Sequence, residues 1–468
     1  MTKKNPKISP EAKRTMNASI AEGSAWGAMN GFAENFVTPF ALALGASNAI
    51  IGIIAAMRQL IGSAVQELGA TLVERSGSRK PLLVWGTSLQ SAIWLLIAAI
   101  PFFIGDSGLW QYALLILILV YVFLNSISTP AWASLLGDVV PEHERGRFFG
   151  RREKIVGFVA LTAGVLGGWW LNLFDTKSVL VGFAGLFFAA FVCGQLQAFF
   201  FTRHHEPKFS KNGKKTDGLL KFLKNTENNP LGTLVSYSAL YQFAVNIAGP
   251  FFVVYMLKDL GFSYQQFAVI HALNILATIV TMPYWGVLLD RYGSRRVIQA
   301  TGLLTAFVPL VWLLNNNPAW IAVAEIYSGV VWAGLNLATN SYVLASTTPE
   351  KRPRYVAHFN FVNGMGVFFG ALAGGLLATS VEGMHLLSVQ GLAAVLLVSG
   401  IARLVVYITM IAKVKKPGDH YIPIGETIFF TRLITTYPVK GLQHGIYSSI
   451  TSLRHLEKKA ERKILGWV

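Results

Sequence analysis

The sequence contains a long internal repeat. The segment ATLVERSGSRK at residues 70–80 returns 216 residues later as GVLLDRYGSRR at residues 286–296, and both copies lie between long apolar runs. Three shorter matches keep the same order with offsets of 211, 208 and 207 residues: 35–40 with 246–251, 141–142 with 349–350, and 163–168 with 370–375. Four ordered matches at nearly constant spacing indicate a duplicated unit. Two similar halves of apolar helices are typical of transporters in which one half moves against the other.

The composition places these helices in a membrane. The mean hydropathy is +0.48, and 53% of the residues are hydrophobic while 13% are charged. A membrane-spanning helix needs about 20 mostly apolar residues. Twelve segments meet this requirement: 16–43, 48–73, 82–104, 109–136, 153–174, 178–202, 231–257, 262–289, 297–315, 318–346, 359–380 and 385–412. We therefore expect an all-α polytopic membrane protein in which twelve transmembrane helices form two pseudo-symmetric six-helix bundles.

The positive charges predict the orientation of these bundles. Of the 40 Lys and Arg residues, 36 lie in the two tails and in alternate loops, and Lys and Arg are retained on the cytoplasmic side during insertion. We expect a cell membrane protein with both termini in the cytoplasm. This pattern also accounts for the net charge of +17, so the charge does not require nucleic acid binding. The expected units are a tail (1–15), a bundle (16–202), a linker (203–230), a second bundle (231–412) and a basic tail (413–468).

The basic tail has a helical pattern of its own. Leu442, Ile446, Ile450 and Leu453 recur at helical spacing beside a basic face. Such a helix either lies on anionic lipid headgroups or packs on the protein's own cytoplasmic loops. The single cysteine, Cys193, excludes an intramolecular disulfide and a cysteine-based zinc site, and we expect no metal, no cofactor and a monomer.

The repeated loop motif resembles a known family. The pattern Gly-x-x-x-Asp-Arg-x-Gly-x-Arg-Arg at residues 286–296 is similar to the loop between the second and third helices of each half in the major facilitator superfamily, and PEHERGR at residues 141–147 is similar to a further pattern of that family. The resemblance implies a cytoplasmic gate that is formed in one access state and broken in the other. The expected gate residues are Glu74, Arg75, Gly77, Arg79, Asp138, Gly286, Asp290, Arg291, Gly293 and Arg295.

The small residues of this motif have a physical role in the prediction. Gly77 and Gly293 permit a tight turn, and the small side chains of Ala70 and Gly286 let neighbouring helices approach closely. Asp138, at the end of the fourth span, is the expected partner of Arg75 or Arg79.

Glu34 and Arg58 are the sharpest candidates for the transport chemistry. An ionisable side chain in hydrocarbon costs a few kcal/mol, so it needs a partner or a function. The first two spans form a hairpin with its turn at Ala46, and the two residues lie twelve positions on either side of that turn. At a rise of about 1.5 Å per residue both lie roughly 18 Å below the turn, near the middle of the bilayer. The repeat places Asn246 and Asn274, which are polar but uncharged, near the equivalent positions of the second half.

Three interpretations of this pair stay open. Glu34 carries a proton whose binding depends on the access state; or Arg58 binds a carboxylate or phosphate of the substrate; or the two form a permanent buried ion pair. The resemblance implies that the first, fourth, seventh and tenth spans line the transport path. Their candidate residues are Asn30, Glu34, Asn125, Trp132, Gln242, Asn246, Glu325, Trp332, Asn336 and Asn340.

These observations predict a secondary active transporter of a small organic solute that works by alternating access and is coupled to protons. The alternatives are an uptake carrier for an organic anion centred on Arg58 and a receptor or scaffold that does not transport. The sequence has no phosphate-binding loop of an ATP-driven pump and no His-Glu-x-x-His motif, so we do not expect an enzyme.

Overall fold

The computed structural model describes residues 9–104, 108–174, 178–207, 230–347, 352–381, 385–386 and 389–415. We number the helices α1 to α12 by the predicted span that each one occupies. The middle of the linker and the basic tail beyond Lys415, including its predicted amphipathic helix, lie outside the described residues.

The first lobe contains six helices. Helix α1 consists of Pro10–Phe32 and Val37–Ala43, which are joined by the 3₁₀ turn Glu34–Phe36. The others are α2 (Asn48–Ser76), α3 (Lys80–Phe103), α4 (Trp110–Val139), α5 (Glu142–Leu171) and α6 (Val179–Thr202).

The second lobe repeats this arrangement. Helix α7 consists of Pro230–Ala248 and Phe251–Val254 and continues as the π-helical turn Tyr255–Asp259. The others are α8 (Tyr264–Tyr292), α9 (Ser294–Ala306 and Val308–Trp312), α10 (Pro318–Ala345), α11 (Arg352–Ser380) and α12 (Leu392–Met410, followed by the 3₁₀ turn Ile411–Lys413). Two short antiparallel strands, β1 (His385–Leu386) and β2 (Val389–Gln390), lie before α12.

The all-α membrane architecture is confirmed. Ten helices in the described part of the chain are long and apolar enough to cross a membrane. Helices α1 and α9 are not among these ten, because the longest unbroken segment of α9 has 13 residues and Pro10–Phe32 of α1 is rich in polar residues. Length and composition thus identify ten of the twelve predicted spans.

The breaks in α1 and α7 explain one of the sequence matches. Pro39 and Pro250 occupy equivalent places in the matched segments: Pro39 lies in the first turn of Val37–Ala43, and Pro250 directly precedes Phe251–Val254. Proline lacks the backbone N–H that would bond to the carbonyl four residues earlier, so each helix is interrupted just before its proline. In α1 the interruption places Glu34 in a 3₁₀ turn that faces α2.

Within the described parts of the chain, the two lobes share a hydrophobic core at one end. The largest hydrophobic core contains residues from both lobes, among them Phe36, Phe40, Phe251 and Leu392. At the other end, which carries the basic loops and which we call the basic end, the cores are separate: one lies in the first lobe and one in the second. The lobes therefore pack together away from the basic end and leave space between them towards it.

Glycines allow the closest helix contacts. On α11, Gly366, Gly370 and Gly374 lie directly against backbone carbonyls of α7, and Gly375 lies against Gly52 of α2 across the lobe interface. A side chain at these positions would collide with backbone atoms. The absence of a side chain at these positions lets the helix backbones pack in direct contact.

Candidate functional site

A cavity in two parts lies between the lobes. The larger part has a volume of about 410 Å³ and lies in the half towards the basic end, and the deeper part has a volume of about 260 Å³ and lies below the joined core. Gln59 and Val367 line both parts, so the two are adjacent. Volumes in this range accommodate a small organic molecule.

Glu34 and Arg58 meet at the deep part of the cavity. Their carboxylate and guanidinium groups form an ion pair between α1 and α2. The Arg58 side chain is 29% exposed and lines the cavity, whereas Glu34 is 19% exposed and is not among the residues lining either part. The hydroxyl group of Tyr121 lies within hydrogen-bonding reach of the Glu34 carboxylate. The pair predicted from the hairpin is therefore formed, with Arg58 on the cavity side.

The structure divides the remaining transport candidates into three groups. Asn246 lines the deep part of the cavity, opposite Arg58. The larger part is lined by Asn125, Gln242, Trp332, Asn336 and Asn340. Asn30, Trp132 and Glu325 line neither part.

Glu325 lies between helices and not at the cavity. It belongs to α10 and is close to Asn274 of α8, whose side-chain amide donates to the Glu325 backbone oxygen (3.1 Å). Asn274, the predicted counterpart of Arg58, is therefore engaged in contacts within the second lobe.

Trp132 belongs to a buried charged cluster near the basic end. Glu22 and Arg152 form an ion pair (2.9 Å) with side chains that are 2% and 6% exposed. The Trp132 indole donates to Glu22 (3.0 Å), and its ring lies 4.7 Å from the Arg152 guanidinium carbon. Glu22 lies towards the basic end of its helix, yet it is buried because α4 and α5 cover its carboxylate.

The gate residues of the first lobe form a second cluster. Arg79 is fully buried, and its guanidinium contacts Asp138 (2.6 Å), Ser134 (3.1 Å) and the Pro207 backbone oxygen (2.9 Å). Arg79 is thus the partner of Asp138, while Arg75 is exposed. The side chains of Ala70 and Glu74 lie outside the described residues.

Glu206 completes this cluster, although sequence reasoning did not single it out. Its carboxylate accepts hydrogen bonds from the Arg79 backbone N–H (2.5 Å) and the Ser78 hydroxyl (2.9 Å), with longer contacts to the Lys80 N–H (3.4 Å) and the Arg79 Nε (3.5 Å). Partial burial raises the pKa of Glu206, but these hydrogen bonds lower it by more, so the pKa lies below its usual value. The only signal in the sequence was an acid immediately after the last helix of the lobe.

His204 lies two residues before Glu206 in the segment that follows α6. Its backbone oxygen accepts from the Lys80 ammonium (3.1 Å), and burial lowers the pKa of the imidazole to about 4. The imidazole is therefore neutral at physiological pH. No group of three potential metal ligands occurs among the residues that the structure describes.

The second-lobe loop is arranged differently. Asp290 and Arg291 are exposed, and the Arg291 guanidinium lies 5.6 Å from the Tyr292 ring centroid. Arg295 donates to the Val414 backbone oxygen (2.7 Å). Gly77 and Gly293 have positive φ angles of 69° and 81°, which explains why both turns contain glycine. The expected close helix approach at Gly286 was wrong, because a Cβ atom there would meet no described atom within 4 Å.

Arg403 lies behind the cavity wall. It is 1% exposed and donates to the Thr305 backbone oxygen (3.0 Å), the Ser399 hydroxyl (3.2 Å) and the Val245 backbone oxygen (3.3 Å). It therefore joins α7, α9 and α12 through carbonyl groups, which explains why no acidic partner was found for it in the sequence.

Comparisons with known proteins agree with this architecture. A family model described as Major Facilitator Superfamily matches residues 19–238 and 234–423. The chain is 24% identical over 251 residues to the multidrug resistance protein MdtG of Proteus mirabilis, covering 53% of this chain and 61% of that protein. It is also 24% identical over 346 residues to the multidrug resistance protein MdtH of Aeromonas hydrophila, covering 71% of this chain and 80% of that protein.

Solved structures show the same fold. The crystal structure of the nucleoside transporter NupG aligns with a TM-score of 0.62 and 14% identity, covering 87% of this chain and 100% of that one. An auto-inhibited peptide transporter of the POT family aligns with a TM-score of 0.65 and 14% identity, covering 89% of this chain and 99% of that one. Identities this low support the fold and not a shared substrate.

Proposed function

Because this chain belongs to the major facilitator superfamily, and is therefore a membrane transporter and not an enzyme, we propose that it moves a small organic solute by alternating access and couples this movement to protons at Glu34 and Arg58. The observation that carries the proposal is the ion pair between these residues, located at the deep part of a cavity between two lobes.

The arrangement of the lobes supports alternating access. Their cores are continuous away from the basic end and separate at the basic end. The positive-inside rule assigns the basic end to the cytoplasm. On that assignment this conformation is open to the cytoplasm, and the opposite state requires the basic ends to meet and the joined ends to separate.

The first-lobe gate cluster supports the same assignment. Among the residues that the structure describes, the contacts of Arg79 with Asp138 and Glu206 lie within the first six helices and the segment that follows them, and these contacts do not reach the second lobe. A gate that is broken while the cavity faces the cytoplasm should lack bridging contacts.

The ion pair supplies a physical basis for proton coupling. Paired with Arg58, the Glu34 carboxylate is compensated, whereas an isolated carboxylate in a low-dielectric environment is strongly disfavoured. A rearrangement or a ligand that draws Arg58 away from Glu34 therefore favours protonation of Glu34. Because Glu34 belongs to the broken part of α1, movement of this segment changes the distance between the two groups.

Reconstitution in liposomes tests the coupling, with a solute found by thermal-shift screening. In Glu34→Gln, transport driven by a pH gradient should be lost while counterflow of labelled solute continues, because counterflow requires no net proton movement. Glu153→Gln is the control, since that carboxylate is 60% exposed. Gradient-driven transport in Glu34→Gln equal to that of the unmodified protein would exclude Glu34 as the coupling site.

A further inference from the structure

The side chains that line the cavity indicate which class of substrate it binds. In the described part of the chain, the cavity residues include many amide and hydroxyl side chains and no carboxylate. The one permanently charged group among them is Arg58. A solute in this cavity therefore meets hydrogen-bonding walls and a single positive charge at the deep part.

The amides of the larger part have unused hydrogen-bonding capacity. Their side chains make no hydrogen bond to any residue that the structure describes, and all of them are at least partly exposed towards the open cavity. This group comprises Gln59, Gln66, Asn125, Asn336, Asn340 and Asn360. In addition, the side-chain oxygen of Asn363, which also lines the cavity, is buried without a partner among the described residues. Each amide offers two donors and two acceptor positions, so the walls can bind hydroxyl groups in either role.

An apolar solute fits these walls poorly. In its absence the amides bind water, and a solute that displaces this water without replacing the hydrogen bonds loses affinity. A solute with hydroxyl groups reproduces those bonds. Sites that hydrogen-bond a ligand hydroxyl reject an analogue lacking it by factors as large as about 10⁴.

The deep part of the cavity selects for negative charge. The Arg58 guanidinium has five N–H donors in a planar fork, and Glu34 approaches it from outside the cavity lining. The Arg58 side chain remains 29% exposed and lines the cavity, and Asn246, whose Nδ2 donates to the Gln242 backbone oxygen (2.8 Å), lies on the wall contributed by the second lobe. A carboxylate or phosphate placed there contacts both lobes at once. A cation placed there would meet the Arg58 charge without an acid on the lining to offset it.

We propose that the substrate is a polar organic anion, an inference that rests on the transport function proposed above. The molecule has one carboxylate or phosphate group, which binds Arg58, and several hydroxyl groups, which bind the amide-lined walls. Apolar and cationic drug-like molecules are not substrates of this cavity, although the relatives MdtG and MdtH are named for multidrug resistance.

This substrate class also sets the direction of coupling. When an anion binds Arg58, the charge of Glu34 is no longer fully compensated, and a proton from the aqueous phase binds the Glu34 carboxylate. Anion binding and proton binding then favour each other, and linkage requires this effect to be reciprocal. Anion and proton therefore move in the same direction.

A thermal-shift experiment on the purified full-length protein tests the proposal. The panel contains hydroxylated carboxylates and phosphates of three to seven carbons, represented by gluconate and glucose 6-phosphate. Neutral glucose, the unhydroxylated hexanoate and the cation tetraphenylphosphonium serve as comparison compounds. We expect at least one hydroxylated anion to raise the apparent melting temperature, with about 10- to 100-fold higher affinity than glucose or hexanoate, because the charge-assisted bond and the hydroxyl bonds are both required. The carboxylate and phosphate arms distinguish the two sources of the anionic group.

Variants of Arg58 provide the second measurement. Arg58→Gln should remove the preference for the anion over glucose, and Arg58→Lys should retain part of it because the charge remains. Lys154→Gln removes an exposed cation from α5 and serves as the control for net charge. Monodisperse gel filtration of each variant establishes folding, and Arg58→Lys keeps the test valid if Arg58→Gln does not fold.

Several outcomes would overturn the proposal. They are stabilisation by tetraphenylphosphonium with none by any anion, equal affinity for gluconate and glucose, unchanged anion binding in Arg58→Gln, and no binding by any compound of the panel. Counterflow of a cation or a neutral solute would overturn the substrate class and leave the transport function intact. Loss of proton coupling with retained anion binding would overturn the proposed coupling and leave the substrate class intact.

Discussion

Replacement of Glu206 tests the gate cluster more directly than any other single change. The residue follows α6, and its carboxylate binds the start of α3 through Ser78, Arg79 and Lys80. The same carboxylate lies 3.5 Å from Nε of Arg79, which is fully buried and also pairs with Asp138. Removal of the carboxylate therefore affects both the end of a helix and the charge balance around a buried guanidinium.

The magnitude follows from the hydrogen bonds. Two are short, at 2.5 and 2.9 Å, and two are long, at 3.4 and 3.5 Å. Hydrogen bonds to a charged group contribute about 1.5–3 kcal/mol each, and the remaining 19% exposure and the length of the weaker contacts reduce the total. We expect Glu206→Ala to lower the free energy of unfolding by about 2–4 kcal/mol and Glu206→Gln by about 1–2 kcal/mol.

The assay is thermal unfolding of the purified protein in detergent. With an unfolding entropy of about 2 cal/mol/K per residue, a chain of 468 residues has a melting temperature that falls by about 1 °C per kcal/mol. Glu206→Ala should therefore melt about 2–4 °C lower at pH 7. Glu11→Ala is the matched control, because Glu11 is 67% exposed and its contact with His205 (3.3 Å) is an exposed pair, which contributes about 1 kcal/mol or less.

The pH dependence has a defined sign. Since the pKa of Glu206 is lowered in the folded state, its stabilisation is fully present above the ordinary pKa of about 4.3 and is lost as the pH falls through the lower, folded value. The difference between the unmodified protein and Glu206→Gln should stay constant from pH 7 to 5 and shrink below about pH 4.3. A melting temperature unchanged in Glu206→Ala, or a constant difference down to the lowest pH at which the protein stays folded, would refute the role assigned to this carboxylate.

Two further predictions concern buried contacts. Glu22→Gln should destabilise the protein by about 3–5 kcal/mol, because it leaves the buried Arg152 charge uncompensated. In thermal unfolding, the double variant with Arg152→Gln should recover part of this loss, and additive effects of the two changes would contradict a direct pairing. Gly52→Val should separate α2 from α11, because a Cβ at Gly52 lies 2.8 Å from the Gly375 Cα. Spin labels on these two helices should report a longer distance than in the control Gly150→Val, and an unchanged distance would count against this contact.

Long-range patterns in the sequence were sufficient to predict the arrangement of membrane helices. Apolar segments of about 20 residues, separated by basic loops, have few alternatives to membrane helices, because the bilayer leaves no other way to satisfy the backbone. The repeated loop motif placed Arg79 and Asp138 near each other for a similar reason, since both lie at the ends of spans on the same side. Gly77 and Gly293 followed from the turn itself, which requires a positive φ angle.

The direction in which each side chain points from its helix could not be predicted from the sequence. Each residue turns a helix by about 100°, so depth can be estimated from residue counts while the direction of a side chain cannot. Glu34 and Glu325 were both candidates for the transport path, yet Glu34 meets Arg58 at the cavity and Glu325 lies close to Asn274. The burial of Glu22 and the contacts of Glu206 also depend on helices and segments distant in the sequence, which no local pattern reports.

The sequence by itself determined that the chain forms two related bundles of membrane helices with their basic loops on one side, because lipid constrains the length, polarity and charge of every segment. Only the tertiary structure decided which polar groups share the cavity, which ion pairs are closed, and at which end the lobes meet. Those properties depend on the rotation and packing of helices around one another, which the periodicity of a single segment does not fix.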